Sequence, residues 1–246
     1  MLNQQTIEKL SWMHMSTFAR EYRRQTEDPT CLSLSFDERF GMLVDAEYIS
    51  RQNRSLQNLL KRAELRQPAC LEDIDYDPVR ELNRDLLRQL STCEWVRQGD
   101  NLLLVGETGA GKSFCACAFG NQACRQGLKV RYYRVTRLLT DMGIARGDGS
   151  YNKLMRELKK VQLLILDDWG LSMLDPLAAR DLLEVIEDRH KERATLIASQ
   201  LPVSNWHGIF QDSTIADAVL DRLVHGAYRL TLAGPSMRKK QAKEVT

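Results

Sequence analysis

Short apolar runs alternate with longer stretches of helical period along most of the chain. The runs at 101–106, 162–167, 194–199 and 227–232 predict strands, and 129–135 (KVRYYRV) predicts another by its alternation. Continuous apolar character marks a strand covered on both faces, as in a parallel sheet. The segments between carry apolar residues at three- and four-residue spacing. Such alternation predicts an α/β fold, a five-stranded parallel sheet between helices. Asp148-Gly149-Ser150 breaks one connection into two helical pieces, 136–145 and 151–160.

The N-terminal region follows a different rule: it is polar and helical, without a strand. Ser35, followed by Asp37 and Glu38, predicts a helix start with an N-cap and acidic first turn. Leu43, Val44, Tyr48, Ile49, Leu56, Leu59 and Leu60 continue that helix. Arg51, Arg54, Lys61, Arg62 and Arg66 line its polar side, and Pro68 ends it. Trp12, Met13, Met15, Phe18 and Tyr22 predict a small local apolar cluster. The expected organisation is a helical domain at 1–66 for partner or subunit contact and an acidic linker at 67–78 closed by Asp77-Pro78. An α/β core at 79–234, opening with a helix at 79–92, and a basic tail at 235–246 follow.

Composition narrows the classes. The 246 residues, 43% of them hydrophobic, suit one α/β domain with a smaller appendage. No apolar run approaches the length of a membrane span, and the start lacks the pattern of a signal peptide. A cytoplasmic location without a membrane partner is the expectation. Six cysteines without a C-x-x-C pair and four scattered histidines point to buried thiols rather than a metal centre. The net charge of +2 conceals segregation: residues 125–160 carry +7, 161–221 carry −7 and 222–246 carry +5. Two basic segments separated by an acidic one suit a polyanion-binding face, or solvated helix faces.

Chemistry enters at Gly106-Glu107-Thr108-Gly109-Ala110-Gly111-Lys112-Ser113, which fits the phosphate-loop pattern at every fixed position, between a strand and the helix opening at Phe114. Glycines let backbone N–H groups curl around a phosphate, and the helix N-terminus adds positive potential. Gly106, Thr108, Gly109, Ala110, Gly111, Lys112, Ser113 and Phe114 are therefore the candidate nucleotide-binding residues. Lys112 reaches the terminal phosphates and Ser113 can ligate Mg²⁺. Leu163-Leu164-Ile165-Leu166-Asp167-Asp168 delivers two acids at a strand's C-terminal end, where parallel sheets bind ligands. Asp167 suits the metal and Asp168 the attacking water. Ser199 and Gln200 both qualify to hold that water, Gln200 being favoured. Arg222, on an amphipathic helix at 215–223, reads either as a surface arginine or as a finger for a neighbouring subunit's phosphate. Arg238 could reach the nucleotide from another side.

GETGAGKS, LLILDDWG, ATLIASQLP, IADAVLDRLVHGAYRLTL and GPSMRK, in this order, resemble the AAA+ ATPases of the DnaC/IstB branch, and IstB most. The likeness extends to Leu34–Arg39, Asp45–Glu47 and Leu71–Asp75 and covers essentially the whole chain. It implies a DNA-stimulated ATPase with ATP and Mg²⁺ as cofactors. It also implies a homo-oligomer with ATP at subunit interfaces, assembling on duplex DNA, and a partner transposase. Lys112, Asp168, Gln200 and Arg222 become catalytic, Ser113 and Asp167 hold Mg²⁺, and Arg238 falls at the second sensor position. Only about ten residues follow Ser236, so the general AAA+ lid is not expected in full. In this context the basic connection gains a role: Arg146, Lys153, Arg156 and Lys160 are expected at DNA phosphates, the last three on one helix face. No base-reading module occurs, which predicts little sequence specificity. A replicative helicase loader and a small-molecule phosphate-loop kinase are the competing readings.

Overall fold

The computed structural model describes residues 2–75 and 82–234, in two compact units, Met1–Asn58 and Leu59–Thr246. The first unit is helical: α1 (Leu2–Trp12), α2 (Ser16–Glu27), α3 (Pro29–Leu32) and most of α4 (Phe36–Ala63). Ser35 opens α4 with a reciprocal capping box. Its Oγ accepts from the Glu38 N–H at 3.3 Å, and Glu38 Oε2 accepts from the Ser35 N–H at 2.8 Å. Leu10, Phe18, Ala19 and Leu43 form the buried core, with Met15 and Tyr22 packed against it. Trp12 and Met13 depart from the expected cluster: they are exposed, at 83% and 48%. α1 ends at Trp12, and His14 turns the chain with a positive φ just beyond these two residues.

The second unit holds α5 (Arg84–Ser91), α6 (Glu94–Gln98), β1 (Leu102–Gly106), α7 (Lys112–Arg125), β2 (Val130–Arg134) and α8 (Val135–Asp148). α9 (Tyr151–Lys160), β3 (Leu163–Trp169), α10 (Pro176–Arg189), β4 (Ala194–Ser199), α11 (Ser213–Val224) and β5 (Tyr228–Leu232) complete it. All five strands are parallel, in the order β2-β3-β4-β1-β5. The alternation of side chains then sorts the two faces. Leu103, Leu164, Leu166 and Ile197 share a cluster with Leu138 of α8, Leu182 of α10 and Val219 of α11. Ile165 faces the other way, where α7 closes so tightly that a Cβ on Gly120 would sit 2.8 Å from it. β1, β3 and β4 are therefore buried on both faces, which is why they read as unbroken apolar runs.

The boundary between the units falls eight residues before the one expected at 66/67. The stretch after α4 is packed where a linker was expected: Ala69 and Ile74 are buried, and Glu72 pairs with Arg125 at 2.8 Å. Arg66 lies beyond the last turn of α4 rather than on its polar side. Asp77-Pro78, the start of the 79–92 helix and the tail with Arg238 lie outside the described residues.

Candidate nucleotide site

β1 runs to Gly106, which still pairs with Leu232 of β5 and passes close against it before the phosphate loop begins. A Cβ there would collide with the Leu232 carbonyl oxygen. Gly109 and Gly111 take φ of +87° and +91°, conformations that side chains rarely adopt, and Gly111 caps α7. This turn and helix start concentrate backbone donors at one point, a cradle suited to phosphate. Lys112 is 8% exposed, and its Nζ donates to the carbonyls of Gly106 and Glu107, both at 2.7 Å. Burial presses its pKa down, against the pull of Asp167 and Asp168.

A cavity of about 310 Å³ opens over the loop. Thr108, Lys112, Ser113 and Phe114 line it from one side, Asp167, Asp168 and Gln200 from another. β4 lies between β1 and β3, so the strand end bearing Gln200 stands between the loop and the acids. Thr108 Oγ1 donates to Gln200 Oε1 at 2.7 Å.

The acids owe their placement to an irregularity. Leu166 pairs with Ile197 and Trp169 with Ser199, so β3 carries one more residue than β4 across this step. Asp168 absorbs it with φ +60°, and its N–H donates to Asp167 Oδ1 at 2.8 Å. Asp167 is 2% exposed and accepts from Tyr132 Oη at 2.6 Å. Burial, then the bond to Asp167, pushes the Tyr132 pKa far up, so this phenol remains a donor. Ser199 is fully buried and turned inward. Its Oγ donates to the Trp169 carbonyl at 2.9 Å and accepts from the Leu201 N–H at 3.0 Å. Trp169 packs on Trp206, ring centres 5.4 Å apart, and Trp206 Nε1 donates to the Leu201 carbonyl at 3.0 Å. The two polar candidates at this strand end thus separate: Gln200 faces the cavity and Ser199 clamps β4 to β3.

Several residues of the site carry no sequence signal of their own, Tyr132 and Arg66 among them. Tyr132 belongs to an alternating strand that points to no chemistry. Arg66 follows a helix, yet its Nη1 lies 3.7 Å from Asp167 Oδ2 and 3.9 Å from Asp168 Oδ2. Gln67, Asp73 and Asp75 join it in lining the cavity. Spacing along the chain gives no hint of this return.

Arg222 does not line the cavity. Its guanidinium donates to Glu187 Oε1 and to the Ala218 carbonyl, both at 2.7 Å, on the α10–α11 surface. α9 buries Met155 and Leu158 and exposes Lys153, Arg156 and Lys160. Arg146 is exposed but engaged, ion-paired with Asp181 and lying 4.1 Å over the Tyr151 ring.

The family model described as IstB-like ATP binding protein matches residues 5–245. The chain belongs to this family. The insertion sequence ATP-binding protein y4pL of Sinorhizobium fredii is 45% identical over 244 residues, covering 99% of this chain and all of that one. The insertion sequence IS1162 ATP-binding protein of Pseudomonas fluorescens is 47% identical over 205 residues, 83% of this chain and 89% of that one. Among solved structures, AMPPCP-bound DnaA from Aquifex aeolicus superposes with a TM-score of 0.58 at 19% identity, covering 74% of this chain and 55% of that one. The DnaC helicase loader gives 0.54 at 17%, covering 67% and 96%. These likenesses establish the AAA+ phosphate-loop fold. No described helix of this IstB-like chain is long and apolar enough to cross a membrane.

Proposed function

We propose that the protein hydrolyses ATP while assembled on duplex DNA and thereby serves a transposase of its own insertion sequence. The observation that carries this reading is the convergence of phosphate loop, acid pair and Gln200 on one cavity, in a chain whose family binds ATP. Lys112 exchanges its two carbonyl partners for phosphate oxygens. Ser113 and Asp167 are the donors suited to Mg²⁺, which when bound neutralises phosphate charge. Asp168 orients the attacking water and takes its proton, while Gln200, steadied by Thr108, fixes the water's position. Arg222 serves the cavity of a neighbouring subunit, since in its own subunit it faces away. Lys153, Arg156 and Lys160 supply phosphate contacts on DNA, with Arg146 bracing α8 against α10.

Hydrolysis is to be measured alone, with long duplex and with single-stranded DNA, with Lys112→Ala as control. Duplex should stimulate turnover, ATP and DNA should tighten each other's binding, and Lys153→Glu with Arg156→Glu should abolish the stimulation without unfolding. Stimulation by single strands alone would replace this reading with a helicase loader. Phosphoryl transfer to a small acceptor, without a DNA response, would replace it with a kinase.

A further inference from the structure

Asp167 and Asp168 bring two carboxylates into a cavity that must also take the phosphates of a nucleotide, so the like charges need screening. Lys112 lies close enough to act on both acids, but its ammonium is hydrogen-bonded to Gly106 and Glu107. Among the described residues that line the cavity, the remaining cation is Arg66. Its Nη1 stands between the two acids, at distances too long for good hydrogen bonds but short for electrostatics. Burial alone presses its pKa down, but the Tyr132 hydroxyl and the two carboxylates outweigh it and hold the guanidinium above its ordinary value. Its permanent charge makes arginine fit for a post that must never lose its proton. Leu65 anchors the segment beside it: a Cβ on Gly120 would lie 2.8 Å from Leu65 Cδ2. Arg66 is thus delivered by a packed backbone, while its side chain remains 39% exposed.

We propose that Arg66 is a built-in counter-cation of the acid pair, taking the electrostatic place of the divalent ion until metal and nucleotide arrive together. It is a positioning residue: it keeps Asp167 and Asp168 from repelling incoming phosphates and from capturing a metal ion prematurely. Metal binding must then displace a resident positive charge, which ties tight metal binding to the phosphates that add ligands. The inference rests on the nucleotide reading of the cavity, and its test separates the two.

The test compares wild type, Arg66→Ala and Arg66→Lys in two titrations, with thermal melting to confirm folding. In the first, Mn²⁺ is titrated without nucleotide and followed by electron paramagnetic resonance. Arg66→Ala should bind Mn²⁺ about tenfold more tightly, with Arg66→Lys close to wild type. In the second, a fluorescent ATP analogue is titrated in EDTA and in Mg²⁺. Arg66→Ala should lose about tenfold in EDTA and far less in Mg²⁺. Unchanged Mn²⁺ affinity in Arg66→Ala overturns the proposal. So does a larger loss in Mg²⁺ than in EDTA, which makes Arg66 a direct phosphate ligand instead. Failure of wild type to bind the analogue in either buffer overturns the nucleotide reading, while the Mn²⁺ comparison still decides the role of Arg66.

Discussion

Ser199 and Gln200 are adjacent in sequence and meet opposite surroundings. The Ser199 hydroxyl is fully buried with both a donor and an acceptor partner, so Ser199→Ala leaves the Trp169 carbonyl and the Leu201 N–H unmatched. Urea unfolding should show a loss of about 1–3 kcal/mol. Gln200→Ala should leave the unfolding midpoint unchanged and lower turnover at least about tenfold at unchanged nucleotide affinity, because 1.4 kcal/mol of lost water alignment suffices. The buried thiols give a second expectation. Burial raises Cys93 from its ordinary 9.0 to about 11, and Cys124 to about 12, the latter also pushed by Cys93. Raised folded-state values stabilise below the unfolded value, and that contribution drains away as pH rises through the folded ones. Urea midpoints should therefore fall above about pH 9 and fall less in Cys124→Ala. At this scale the sequence shows the phosphate loop and the acids plainly, because their chemistry demands fixed spacing. It conceals Arg66 and Tyr132, whose neighbours are set by tertiary packing alone.

Among the elements, the strands stand within two residues of their expected ends, since two-faced burial forces continuous apolar runs. β3 is the instructive exception. Its apolar run stops at Leu166 and the strand is expected to end at residue 167, yet pairing with β4 resumes at Trp169, past both acids. α8 likewise runs on to Asp148 beyond its last apolar position, until Gly149 takes φ +78°. Strand pairing itself rests on small residues in places. Gly106→Ala would force its methyl into the Leu232 carbonyl, parting β1 from β5 just where the loop begins. The expected cost is about 1–3 kcal/mol, together with weakened nucleotide binding, measurable by unfolding and by titration of the same sample. Retention of both properties would mean that β5 shifts freely along β1.

For the whole molecule, the question is whether one chain holds a complete catalytic set. The cavity of the Leu59–Thr246 unit gathers loop, acids and Gln200, while Arg222 is held by Glu187 on a surface outside it. Head-to-tail assembly would unite them. Arg222→Ala and Lys112→Ala should each be inactive alone and recover a fraction of wild-type turnover on mixing, because some interfaces then pair an intact cavity with an intact arginine. No recovery at any ratio in steady-state hydrolysis would place Arg222 outside the reaction. In the sequence Arg222 reads either as a surface arginine or as a finger, and the family likeness favours the finger. Periodicity places Arg222 on a helix but does not say which cavity, if any, it would serve.

Asp168 carries a consequence for anyone who would engineer this protein. It holds a left-handed backbone that glycine adopts freely, at a cost of about 1 kcal/mol. Selection for heat tolerance alone should find Asp168→Gly and reward it with a higher melting temperature, while the same change removes the carboxylate that faces the cavity. A thermostability screen run without an activity counter-screen should therefore enrich dead variants at this one position. Sequencing its survivors would show whether the fold keeps an aspartate there for the sake of stability or only for the sake of use.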